Sequence, residues 1–283
     1  GTLLRSSTVR VISQLSHELR IARPTTGVRR AVALITLPGP FHVVALTFVL
    51  VIASVIRLKY LNIPIDYDEA YSFLNFARRP LYQGLADYNT TNNHLLNTLF
   101  MHIAYNLFGQ QEWALRLHVF AAGVGLILAT YVLGRAIGGP DTGIVAAAMV
   151  AVSGVMVNYS VNARGYVWVA WMTMLLMLAT WRMATATVPL AVDWIAAWMT
   201  SVIGLFAIPT MVYPVVGCFG WLSVRTIKMG QIGRGRLGSL MILGALVALA
   251  TIWLYAPALV FRGIAAWQHP IAQKEGRLDV ARS

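Results

Sequence analysis

Seven stretches of this chain, 39–57, 113–135, 141–159, 165–184, 190–207, 209–224 and 237–258, are apolar almost throughout. Roughly 20 such residues in a helix cross the hydrocarbon core of a bilayer. A backbone in lipid has to satisfy its own hydrogen bonds, so runs of this kind read as helices. The predicted fold class is therefore all-α, a polytopic membrane protein of about seven transmembrane helices. Composition agrees, with 58% hydrophobic and 11% charged residues, against roughly 45–50% and 25% in soluble domains. A soluble enzyme, a disordered tail and a coiled coil are excluded. The single cysteine, Cys218, excludes a disulfide framework and a cysteine-based metal site. The net charge of +12 would suggest nucleic acid in a soluble chain. Here it reads as the positive-inside bias, and no nucleic-acid partner is expected.

Charge also orients the chain. Arg5, Arg10, Arg20, Arg23, Arg29 and Arg30 precede the first apolar run, against one acid, Glu18. Residues 1–38 are predicted as a basic cytoplasmic segment. Val9, Ile12, Leu15 and Leu19 suit a short amphipathic helix ended by Pro24, with a disordered leader as the alternative. The membrane module is predicted over 39–261, with an outer loop at 58–112 and a non-cytoplasmic tail at 262–283. Segment 94–108 has apolar Leu95, Leu96, Leu99, Phe100, Ile103 and Leu107 on one side, and His94, Asn97, His102 and Asn106 on the other. Short and two-faced, it is predicted to lie in the outer interface. Arg225, Lys228, Arg234 and Arg236 then face the cytoplasm. Pro209 separates the fifth and sixth runs, and Pro214 is expected to kink the sixth.

Polar residues are few enough to be weighed singly. Asp66, Asp68 and Glu69 follow the outer end of the first run. They suit the first turn of a helix, where its dipole favours acids. They equally suit a general base facing a membrane-edge cavity, or an Asp-x-Asp site for Mg²⁺ or Mn²⁺ formed by Asp66 and Asp68. Between two nearly pure hydrocarbon helices stands Tyr159-Ser160-Val161-Asn162-Ala163-Arg164-Gly165-Tyr166. Arg164 is either an interface anchor or an anion site, forking two donors onto a phosphate beside the N–H groups of the next helix. Gly165 would let the backbone come close. In Asn92-Asn93-His94 the histidine is either a solvated residue or a second phosphate contact. Asn89-Thr90-Thr91 matches a glycosylation sequon. Asp193 reads as a helix-start acid.

Taken in order, Asp68-Glu69-Ala70-Tyr71-Ser72, Asn93-His94-Leu95-Leu96-Asn97-Thr98-Leu99-Phe100, the Phe108-Gly109…Glu112-Trp113-Ala114-Leu115-Arg116-Leu117 segment and Asn158-Tyr159-Ser160…Asn162-Ala163-Arg164-Gly165-Tyr166 resemble the bacterial branch of the GT-C membrane glycosyltransferases, the family 39 and protein O-mannosyltransferase-like group. The likeness covers roughly residues 39–225. It implies a GT-C-like module of seven helices with two juxtamembrane helices in the first outer loop, segment 94–108 being the second. It implies that Asp68 is the catalytic base, with Glu69 supporting or orienting it. Arg164 and His94 would hold the phosphate of a polyprenyl-phosphate sugar, and Asn162 and Tyr166 would line the same site. Two positions depart from the group: Leu95 stands where many members have proline, and Asn162 where many have an acid. Members are much longer, so the chain corresponds either to a minimal module or to a piece of a larger enzyme.

The implied reaction is transfer of a hexose or pentose from a lipid-linked donor to an unidentified hydroxyl acceptor on the non-cytoplasmic face of a cell membrane, the bacterial inner membrane by the resemblance. A single displacement would invert the anomeric centre. No cofactor is required, and a divalent cation is the optional addition. The competing class is a transporter or lipid flippase, whose polar groups would lie near the bilayer midplane on broken helices.

Overall fold

The computed structural model describes residues 39–88, 92–186, 188–228 and 231–280, with side chains to Val260 except at 231–234. The chain divides into two units, Gly1–Pro38 and Gly39–Ser283. The predicted basic segment and the Asn89-Thr90-Thr91 sequon lie outside the described residues.

Every element among the described residues is helical. In chain order these are α1 (Pro40–Leu58), α2 (Tyr67–Ser72, continuing in a π turn, Phe73–Ala77), α3 (Leu81–Ala86), α4 (Leu95–Phe108), α5 (Glu112–Gly138), α6 (Pro140–Val152), α7 (Gly154–Tyr159), α8 (Tyr166–Thr185), α9 (Ala191–Ala207), α10 (Val212–Ile227) and α11 (Gln231–Val280). A 3₁₀ turn, Pro209–Met211, joins α9 to α10. Pro214 falls in the first turn of α10, where a proline has no intrahelical hydrogen bond to remove.

Helices therefore occupy all seven predicted apolar runs. Four are long and apolar enough to cross a membrane: α1, α5, α8 and the Gly235–Val260 part of α11. Two more, α6 and α9, are apolar but shorter. The third run, expected as one helix over 141–159, is broken at Ser153, whose backbone is extended (φ −63°, ψ 118°). A continuous helix would use the Ala151 carbonyl four residues on. Here the Arg57 guanidinium donates to that carbonyl through Nη1 at 3.0 Å. The seventh helix, expected to stop near 258, continues to Val280.

Helix α1 turns apolar side chains outward and a charge inward. On α1, Phe41, Val44, Phe48 and Val51 face outward while Arg57 is fully buried. Helix α4 is mixed: Asn97 and Thr98 are buried beside Leu95 and Met101, while Ile103, Leu107 and Asn106 are exposed. An amphipathic pattern states that a helix has two faces. Which face turns inward depends on whether the surroundings are water or lipid. The N-terminal half of the apolar stripe packs inward: Leu95 and Leu96 meet Phe206 and Ala207 at the end of α9, with Leu99 and Phe100 against the same cluster.

The bundle is built around α5 and α8, which pack on each other. Helix α5 also carries α6, and α8 also carries α9 and α10. A cluster including Leu176, Met183, Met211 and Leu222 joins α8 to α10. At the C-terminal end of α8, Arg182 pairs with Asp193 at 2.7 Å, so that acid ties the start of α9 to its neighbour.

Candidate functional site

One end of the bundle gathers the C-terminal end of α1, helices α2 to α4, the start of α5 and the turn from α7 into α8. The frame is set by Glu69. Asp66 is the N-cap of α2, its side chain accepting from the Tyr67 N–H at 2.9 Å. Glu69 closes the capping box by accepting from the Asp66 N–H at 3.0 Å. The same carboxylate takes two parallel bonds from Arg116, Nε at 2.9 Å and Nη2 at 2.5 Å. It also accepts from the Ala163 N–H at 2.5 Å. Arg116 spends its remaining donors on the carbonyls of Leu61, Ile63 and Pro64, at 3.1, 2.7 and 3.3 Å.

This ion pair is closed. Its side chains are 0% and 2% exposed, and the carboxylate accepts four hydrogen bonds. Glu69, expected beside Asp68 in the catalytic set, therefore has no face left for a substrate. It joins three chain segments, and it fixes residue 68 against residue 164 because its neighbours flank both.

Asp68 and Arg164 meet there. Asp68 Oδ2 lies 2.8 Å from Arg164 Nη1, with the arginine side chain 8% exposed and the aspartate 57%. The approach is short, yet the N–H is not aligned for a hydrogen bond, and Arg164 Nε has no acceptor among the described residues. Arg164 Nη2 reaches the Tyr166 hydroxyl at 3.4 Å, and the guanidinium carbon lies 5.5 Å from the Tyr166 ring centroid. The ring stacks on Tyr159 at 5.0 Å and meets His94 edge-on at 5.2 Å.

His94 is buried, and its Nδ1 accepts from the Gly165 N–H at 2.9 Å. That bond fixes the neutral tautomer with the proton on Nε2. Burial first, and the Arg164 charge second, pull its pKa down to about 3. The imidazole is thus a neutral donor at physiological pH. Asn92 ties this segment to α2, its side-chain amide donating to the Asp68 carbonyl at 3.4 Å and its main-chain carbonyl accepting from the Ser72 hydroxyl at 3.3 Å. Asn93 is buried and donates to the Gly84 carbonyl at 2.8 Å and the Asp87 carbonyl at 2.6 Å.

The backbone N–H groups just ahead of α8, those of Ala163, Arg164 and Gly165, go to Glu69, the Asn162 carbonyl and His94 in turn. Backbone N–H groups offered to an anion are therefore those of the first turn of α8 itself, from Tyr166 on. Gly165 does permit a close approach, but of the protein itself: a Cβ there would lie 2.8 Å from Ile208 and 3.0 Å from the Ala207 carbonyl. Asn162 is half-buried and its Oδ1 has no partner among the described residues.

So Asp68, His94, Arg164 and Tyr166 share one site, while Asp66 and Glu69 build its frame. Arg116 carries that frame without having been given a role from sequence. Its signal was an arginine at the start of a long apolar helix, where an unpaired charge is expensive. Among the described residues no group of three or more His, Cys, Asp or Glu side chains is placed to hold a metal ion. No protein-family model, no curated protein and no solved structure matches the chain.

Proposed function

We propose that this chain is a membrane glycosyltransferase of the GT-C kind, with a seven-span module and its site at the non-cytoplasmic face of the cell membrane. It moves a sugar from a polyprenyl phosphate to a hydroxyl acceptor and inverts the anomeric carbon. The observation that carries this reading is the meeting of Asp68 with Arg164 at 2.8 Å, with His94 and Tyr166 around the guanidinium. An anchor that snorkels to headgroups has no need of a carboxylate, a neutral imidazole and a tyrosine arranged about it.

In the proposed step Arg164 and the His94 Nε2–H hold the donor phosphate. Asp68 takes the proton of the acceptor hydroxyl as its oxygen bonds to the anomeric carbon. The bond from that carbon to the phosphate oxygen breaks, and its electron pair stays with the phosphate, where Arg164 stabilises the developing charge. A divalent cation held by Asp66 and Asp68 together would compete with the N-cap that Asp66 forms and with Arg164 for Asp68.

A second reading, movement of a lipid across the bilayer without chemistry, draws on the break at Ser153 and on Arg57, whose Nε and Nη2 are buried without acceptors among the described residues. Proteoliposomes carrying the chain, a polyprenyl-phosphate sugar and a glycan acceptor separate the two. Transfer predicts free polyprenyl phosphate and an inverted glycoside. A donor that changes leaflet with its glycosyl bond intact would contradict transfer and support the second reading.

A further inference from the structure

Arg164 without a ligand already has an anion on it, and that anion is the proposed base. The two roles given to this pair conflict. A phosphate that is to use the buried Nη1 has to take the place of Asp68 Oδ2, which lies there at 2.8 Å. Adding a phosphate beside the intact pair would put two anions on one cation. At such separations like charges repel strongly in a partly buried site.

The surrounding structure says which partner can move. Arg164 is buried and flanked by Tyr166 and His94. The α2 backbone is held by Glu69, through Asp66, Ala163 and Arg116. The Asp68 side chain is more than half exposed, at 57%, and no aligned hydrogen bond to it is present among the described residues. Its rotation needs no rearrangement of the helix. We propose that Asp68 is an internal ligand of Arg164 that an incoming phosphate displaces, which makes it a specificity-determining residue for the anion site as well as the base. Only an anion able to replace a carboxylate enters. Displacement also turns Asp68 away from the guanidinium, so the base is released for the acceptor after the donor phosphate has bound. Donor-first order follows from the geometry. This inference rests on the phosphate-site reading of Arg164.

The test is equilibrium binding to the full chain in lipid nanodiscs, with a polyprenyl monophosphate and, separately, inorganic phosphate as probes. Asp68→Asn removes the competing charge and keeps the shape. It should bind polyprenyl monophosphate tighter by about three- to ten-fold, the range of an ion pair near a protein surface and somewhat above it. Arg164→Gln should lose binding, and adding Asp68→Asn to it should restore none. Arg164→Lys repeats the test if the glutamine variant does not fold. The same gain with inorganic phosphate would assign recognition to the phosphate alone, and a gain confined to the lipid probe would add the prenyl chain; both support displacement. Unchanged or weaker binding in Asp68→Asn, with binding still lost in Arg164→Gln, would overturn the displacement and leave the phosphate site standing. Unchanged binding in Arg164→Gln would overturn the phosphate site itself.

Discussion

Two arginine–carboxylate pairs stand side by side at one end of this bundle, and they are built to opposite specifications. Arg116–Glu69 is buried on both sides, bidentate, and completed by backbone groups of the 61–66 stretch and of Ala163. Arg164–Asp68 is monodentate and misaligned, with one partner exposed and a buried guanidinium nitrogen left over. A buried ion pair is tolerated when its remaining donors and acceptors are satisfied. The first pair meets that condition and holds the frame. The second does not, and a buried guanidinium with spare donors favours an incoming anion. The difference teaches that an ion pair's completeness, more than its length, separates scaffold from site.

The comparison breaks most visibly at Glu69. Glu69→Gln leaves Arg116 buried and charged without its partner, a change worth about 3–5 kcal/mol. Thermal unfolding in detergent should show a large loss, whereas Asp68→Asn should leave the midpoint nearly unmoved. Equal midpoints for the two variants would remove the distinction between the pairs.

Arg164→Lys sharpens the second pair. Lysine keeps the charge and loses the planar fork. Charge-assisted hydrogen bonds contribute about 1.5–3 kcal/mol, so kcat/KM for the lipid donor should fall by about ten- to a hundred-fold. An unchanged value would return Arg164 to the role of an anchor.

His94 supplies a pH signature. Its pKa is lowered from 6.5 to about 3 by burial and by Arg164. An unfolded chain gains a proton at this residue as pH falls through 6.5, and the folded chain refuses it until about 3. His94 therefore contributes stability that is complete above 6.5 and is lost as pH drops toward 3. In His94→Asn, whose Oδ1 can still accept from the Gly165 N–H, the fall in unfolding midpoint with acid should be shallower. Identical slopes would contradict a buried neutral histidine.

The smallest expected effect is at the cap. Asp66→Ala removes an N-cap from α2, typically about 1 kcal/mol, which unfolding midpoints can resolve. A loss as large as that of Glu69→Gln would mean that Asp66 does more than cap.

How much of this could be read beforehand follows from the range of each interaction. Helices at the seven apolar runs were legible because hydrophobicity accumulates over a whole run. Asp68, Arg164 and His94 were legible as rare polar residues in an apolar chain, and Tyr166 through the family resemblance alone. The pairing of Glu69 with Arg116 was not, because it joins segments distant in sequence and leaves no periodic trace. The break at Ser153 was hidden for a related reason: the group that satisfies its freed carbonyl, Arg57, comes from another helix. That the N–H groups of Ala163, Arg164 and Gly165 are already engaged is revealed only by their hydrogen-bond partners.

The central claim is that the open pair performs glycosyl transfer, with Asp68 as base, while its closed neighbour holds the frame. The most direct measurement is turnover of a polyprenyl-phosphate sugar by proteoliposomes containing the parent chain, Asp68→Asn or Asp66→Asn. General-base catalysis typically contributes about 10²–10⁴-fold. Asp68→Asn should lose at least that order of turnover, with folded protein at parent level and donor binding undiminished. Asp66→Asn should keep most of the activity. Full turnover in Asp68→Asn would contradict the account.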